Sequence, residues 1–220
     1  MARANKPLSK PSDPAAVNPT VQSTVVREIK LAINERFHLP ELPGTPITRR
    51  RLTSTYYDTS QYDLAHAGIT LRHRIERGKQ AWQLKLPLLK NRQEVELVDR
   101  RSIPPTTFRD TLFLPLGQRE LIPVTTLRVW RTGIRVRIDL VPVADVTLDH
   151  VSVMKDGAIL QRFRELEIEQ VNGKDSTLPN LERQLRRAGA EDHDGRPKLF
   201  RALSLVASGL SHRRHRMRRP

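Results

Sequence analysis

Between Phe163 and Glu169, three carboxylates (Glu165, Glu167 and Glu169) stand at every second position, with Leu166 and Ile168 between them. In an extended strand the side-chain period is two, so the glutamates face one way and the aliphatic residues the other. Three like charges on one strand face repel each other. The fold must answer them with open water, with cations from neighbouring strands, or with metal ions.

The alternation recurs along the chain. Glu28 and Lys30 alternate with Ile29 and Leu31, and Arg72 and Arg74 lie between Leu71 and Ile75. Gln83 and Lys85 alternate with Trp82, Leu84 and Leu86, and Glu94 and Glu96 with Val95 and Leu97. Arg128 belongs to a further strand, Val124–Arg131, followed by a separate one at Ile134–Asp139. The first strand is expected to run unbroken from Thr24 to Leu31. Arg77-Gly78 and Asp156-Gly157 are hairpin signals. For a single strand, alternating charge marks a solvated outer face. Its recurrence with both signs of charge implies that the polar faces form one surface and the apolar faces another. Helices expected at Phe108–Leu116, Leu178–Ala188 and Lys198–Val206 would cover the apolar one.

The expected architecture is therefore α+β: a closed antiparallel eight-stranded β-barrel with a charged lumen, covered outside by helices. Such a lumen cannot be dry, because stripping an unpaired charge of water costs on the order of several kcal/mol. It must hold water, ions or a charged ligand. Guanidinium and ammonium groups fit phosphate oxygens, and clustered carboxylates fit hard cations such as Mg²⁺ or Mn²⁺.

Residues 1–22 have no apolar periodicity and read as a disordered leader, 23–206 as the tunnel domain, and 207–220 as a basic disordered tail. The absence of cysteine excludes disulfides and thiolate metal sites. No apolar run approaches a membrane span, so the expectation is a soluble cytoplasmic protein with no membrane partner. The formal charge of +15 favours polyanionic partners. Nucleic acid enters as a lesser partner through the tail, which lacks interleaved aromatic residues. The sequence contains no P-loop, dinucleotide fingerprint or zinc spacing.

These motifs together resemble the CYTH domain, the triphosphate tunnel metalloenzyme family of tripolyphosphatases, thiamine triphosphatases and class IV adenylyl cyclases. Val26-Arg27-Glu28-Ile29-Lys30 stands where the family has ExExK, Tyr57-Asp58-Thr59 matches its aromatic-Asp-Thr turn, and Arg72-His73-Arg74 its RxR strand. Lys85, Glu94-Val95-Glu96, Arg128, Asp149, Glu167-Ile168-Glu169 and Lys198 follow in the family's order over residues 24 to 205, with Glu165 as an extra acidic neighbour. The resemblance implies that Lys30, Arg72, Arg74, Lys85, Arg128 and Lys198 grip phosphate oxygens. It implies that Glu28, Glu94, Glu96, Asp149, Glu167 and Glu169 bind one or two divalent cations, and that Glu28, Lys30, Glu167 and Glu169 carry the hydrolytic step. The substrate would be a triphosphate or polyphosphate and the cofactor Mg²⁺ or Mn²⁺. Two departures stand out: Val26 replaces the first glutamate of ExExK, and Pro197 precedes the late lysine where serine is usual. The alternative reading is a CYTH-like module that binds polyphosphate or nucleotide and is impaired in turnover. The histidine-phenylalanine element of class IV cyclases is not evident before Glu28, which argues against cyclase activity.

Overall fold

The computed structural model describes residues 21–203, apart from 89–91, 113–115, 156, 173, 175 and 194–196. Residues 1–20 of the expected leader 1–22 and the tail 207–220 lie outside the described residues, and Val21 and Gln22 of that leader belong to a strand. In chain order the elements are β1 (Val21–Val26), β2 (Glu28–Ala32), β3 (Gly44–Asp58), α1 (Asp63–His66), β4 (Thr70–Glu76), β5 (Lys79–Pro87) and β6 (Arg92–Val98). They continue with α2 (Thr106–Thr111), β7 (Ile122–Ile138), β8 (Val141–Lys155), β9 (Ala158–Gln170), α3 (Thr177–Arg187) and β10 (Glu191–Asp192). Residues 198–203 are helical as well.

All strand pairs are antiparallel, in the order β1-β6-β5-β4-β3-β7-β8-β9-β2-β10. The expected closed barrel of eight strands is thus replaced by ten strands in a sheet with no hydrogen-bonded closure among the described residues. The sheet nevertheless curls, because side chains from every strand between β2 and β9 line one cavity.

The chain itself crosses the seam. β1 pairs with β6 and β2 pairs with β9, near opposite ends of the strand order, with only Arg27 between β1 and β2. The expectation of one strand from Thr24 to Leu31 fails for this reason: a single straight strand cannot satisfy partners on both sides of the seam. The expectation of two strands over 124–139 fails as well. β7 is one strand of 17 residues, and Gly133 lies inside it. A Cβ at Gly133 would lie 2.2 Å from the Val146 carbonyl oxygen, so this glycine permits close backbone approach and does not mark a turn. At the β4–β5 hairpin, Arg77 and Gly78 both take positive φ (49° and 81°), the backbone a tight type I′ turn requires.

Helices cover the apolar outer faces at two places. Leu31, Val146, Leu166 and Ile168 pack under Leu178, Leu181 and Leu185 of α3, whose spacing of three and four residues puts them on one face. Gly189 follows α3 at φ 101°, and the Ala190 amide donates to the Leu185 carbonyl, which closes the helix in a Schellman-type cap. Leu71, Trp82, Leu84 and Leu97 pack with Phe108, Leu112 and Leu116 of the α2 region. Fully burying each such side chain contributes roughly 1.5–3 kcal/mol. The Asp58 carboxylate accepts from the Thr59, Leu64 and Ala65 amides, so the aromatic-Asp-Thr turn holds α1 in place.

The third cluster is inside the curl. Leu52, Tyr56, Leu127, Val129, Val151, Val153 and Phe163 meet Leu199 and Ala202 of helical residues 198–203. One end of the interior is therefore an apolar core plugged by a helix, and only the remainder is charged.

Candidate functional site

Period-two alternation on eight strands brings the charged side chains together. The cavity, of about 160 Å³, is lined by Glu28 and Lys30 (β2), Tyr56 (β3), Arg72 and Arg74 (β4), Lys85 (β5), Glu94 (β6), Arg131 (β7), Asp149 (β8), Glu167 and Glu169 (β9), and Lys198. All the expected site residues but two line it.

Its floor is an ion-pair network. Lys198 Nζ, presented by the first turn of helical residues 198–203, lies 2.7 Å from Glu167, 2.9 Å from Glu165 and 3.1 Å from Asp149. Lys30 pairs with Glu167 and lies 3.4 Å from Glu165 and 3.5 Å from Glu28. Arg131 holds Asp149 with two hydrogen bonds of 2.7 Å and reaches Glu167 at 2.8 Å. Asp149 and Glu165 are wholly buried. Burial works to lower the Lys30 and Lys198 ammonium groups, but Glu167 and its neighbouring carboxylates outweigh it and both are raised. Burial likewise works to raise Glu167 and Asp149. Lys198 leads the opposing cations, and both carboxyls end below the ordinary range, Glu167 well below it.

The wall formed by β4 and β5 differs. Arg72 donates to Gln83 Oε1 at 2.7 Å and to the Tyr56 hydroxyl at 3.1 Å, both neutral oxygens. Arg74 reaches Glu76 at 2.5 Å, and Lys85 reaches Glu94 at 2.7 Å. Burial and the adjacent Arg72 guanidinium push Arg74 down. At the opposite edge, Glu28 and Glu169 are direct register partners. Burial, with the Glu167 and Glu28 carboxylates, pushes the Glu169 carboxyl up against the pull of Lys85. Lys85 and Glu169 come from strands far apart in the sheet order, so their electrostatic contact reflects the curl itself.

Two sequence expectations need correcting. Arg128 is exposed and does not line the cavity; Arg131, three residues on, does. Leu127, Val129 and Arg131 face inward because β7 crosses the plugged, apolar half of the interior before it reaches the charged half. Glu96 lies beyond the cavity lining, bonded to Lys79 at 2.9 Å and to Gln83 at 2.7 Å, where it orients the amide that receives Arg72. Glu165, regarded as an extra, is the buried partner of both floor lysines. Sequence reasoning also missed Tyr56 and Gln83. Gln83 shares the β5 face of Lys85 and was legible from parity, whereas Tyr56 had no signal beyond its place in a strand.

The site is thus a cavity lined by both basic and acidic side chains within a curled antiparallel sheet. The CYTH domain family model matches residues 25–199, and the chain belongs to that family. No curated protein matches. Among solved structures, a candidate adenylate cyclase from Bacillus halodurans (bh2851) is similar at TM-score 0.60 and 16% identity, over 81% of this chain and 97% of that one. A candidate adenylyl cyclase from Hippeastrum, HpAC1, with a dominant triphosphatase activity, is similar at TM-score 0.53 and 16% identity, over 82% of this chain and 96% of that one. At such identities the likeness concerns the fold.

Proposed function

We propose that this chain hydrolyses a triphosphate or inorganic polyphosphate held in the tunnel together with a divalent cation, Mg²⁺ or Mn²⁺. The observation that carries this reading is Arg72, a cavity-lining guanidinium whose hydrogen bonds run to neutral oxygens and whose charge is met through space by Glu94, so that an incoming anion can take up direct hydrogen bonds to it. Arg74 and Lys85 stand beside it, so the β4–β5 wall presents a row of cations to successive phosphoryl groups.

The charge balance supports an accompanying cation. Six basic residues line the cavity against five acidic ones, and buried Glu165 brings the count level. A polyphosphate entering a lumen already near neutrality must bring positive charge with it or displace protons. The oxygen donors suit a hard cation, and Glu28 with Glu169 forms a carboxylate pair whose raised member gains by meeting one. Among the described residues no three such groups converge into a ready metal site, so phosphate oxygens would complete the coordination. When bound, the cation supplies Lewis-acid polarisation of a phosphoryl oxygen and acidifies water.

The chain's own residues do the positioning. Arg72, Arg74 and Lys85 fix the polyphosphate along one wall, and Lys30, Lys198 and Arg131 offer charge from the floor where negative charge develops. Asp149, Glu165 and Glu167 hold those three cations in place before substrate arrives. The test is phosphate release from tripolyphosphate, thiamine triphosphate and ATP with Mg²⁺ or Mn²⁺ and an EDTA control. Metal-dependent release abolished by Arg72→Ala supports the reading, and release indifferent to EDTA and to that variant removes it.

One observation favours a second reading. Val26 pairs with Arg92 in a register that sets it on the same face of the sheet as Glu94, where the family motif has a carboxylate. Tight tripolyphosphate binding without turnover would make the chain a binding module.

A further inference from the structure

Helices cover the outer surface over β2, β8 and β9 at one end and over β4, β5 and β6 on one side, and among the described residues no helix covers the middle of β3, β7, β8 and β9. Pairing register sets out what this bare face carries. One row across it reads Arg51, Trp130, His150 and Arg164; the next reads Thr53, Arg128, Ser152 and Arg162. Neither row contains an acidic residue. With inter-strand gaps of about 4.8 Å, each row spans about 14 Å.

A groove of about 1120 Å³ runs along this face, walled by the segment from Ile33 to Leu39. Arg164 braces that wall, donating to the carbonyls of Asn34, Glu35 and Phe37 at 2.8 to 3.0 Å. Arg49 stacks on Trp130 at 4.5 Å from the ring centroid, and the tryptophan remains 39% exposed. Arg201, on helical residues 198–203, also lines the groove and stacks on Phe163 at 4.4 Å.

We propose that this outer face binds single-stranded nucleic acid, separately from the tunnel. The four arginines of these two rows, with Arg49 beside them, track a phosphate backbone, and Glu35 stands on the groove wall. The exposed indole with its stacked guanidinium adds what inorganic polyphosphate does not use, a platform for a base. Arg128, which the family resemblance implied would grip phosphate in the lumen, belongs to this surface.

The protein carries its own reporter. Of its two tryptophans, Trp82 is wholly buried and Trp130 lies on the face. A titration of the full chain with a 12-nucleotide oligouridylate (roughly 0.1 M salt) should quench tryptophan emission. Fluorescence anisotropy of a labelled oligonucleotide should then show at least tenfold weaker binding for Arg51→Glu/Arg162→Glu and about threefold weaker binding for Trp130→Leu. Phosphate release from tripolyphosphate should be unchanged in both, and the interior variant Arg131→Gln should bind the oligonucleotide normally. Unchanged affinity in Arg51→Glu/Arg162→Glu overturns the proposal, as does loss of oligonucleotide binding in Arg131→Gln. So does inorganic polyphosphate that competes equally, charge for charge, against wild type and Trp130→Leu, since the surface would then be a purely electrostatic one.

Discussion

The two halves of the interior of the curled sheet obey opposite rules. In one half Val151, Val153, Leu127 and Phe163 face inward onto Leu199, and the polar residues of the same strands face out. In the other half Arg131, Asp149, Glu167 and Lys198 face inward, and Leu166, Ile168 and Val146 face out beneath α3. The same strands β7, β8 and β9 run through both halves without changing side-chain parity. What changes is the chemistry of the residues set at each level. Each strand is therefore polar outside at one end and polar inside at the other. Residues 198–203 join the halves, with Lys198 facing the charges and Leu199 the apolar core one residue later.

Substitutions that separate the halves test this division. Lys198→Met leaves Asp149, Glu165 and Glu167 without their shared cation and should cost about 3–5 kcal/mol in urea unfolding. Leu199→Ala, a neighbour in sequence but in the other half, should cost about 2–4 kcal/mol by leaving a cavity. It should spare phosphate release per folded molecule, whereas Lys198→Met abolishes it. A Lys198→Met protein as stable as wild type would remove the ion-pair floor from the description.

The next contrast is between neighbouring arginines on one strand. Arg131→Gln should lower kcat/KM for tripolyphosphate on the order of 10²–10³-fold, and Arg128→Gln should leave it within about twofold. The opposite ranking would return Arg128 to the lumen.

Within β9 the comparison can be made by pH. The Glu167 carboxyl lies well below the ordinary range, so its stabilisation is fully present above about pH 4 and is lost as pH falls through the lower, folded-state value. The deficit of Glu167→Gln measured by urea at neutral pH should therefore shrink in acid. Glu169 is raised, so its ionised form is disfavoured by folding and Glu169→Gln should stabilise the substrate-free protein at neutral pH. That gain should vanish as pH falls through the raised value towards the ordinary one. Deficits that run in parallel for the two variants would contradict the division of the strand into a paired floor and an uncompensated edge. The smallest effect expected is at Val26, where Val26→Glu adds one carboxylate and should tighten the Mg²⁺ requirement for phosphate release severalfold.

The sequence by itself determined the period-two strands, the opposite facing of Glu167 and Ile168, the covered apolar faces and the order of the CYTH motifs. Each of these depends on local periodicity or spacing, which the chain states directly. Tertiary structure alone decided that the strand reading from Thr24 to Leu31 breaks at Arg27, because β6 and β9 compete for it from opposite edges of the curl. It decided that Arg131 enters the lumen and Arg128 does not, because alternation gives parity without saying which side is inside at that level. It also made Glu165 the hub of two lysines that lie 135 and 33 residues away in sequence. The pairing of distant charges depends on how the sheet curls, and no local pattern records that curvature.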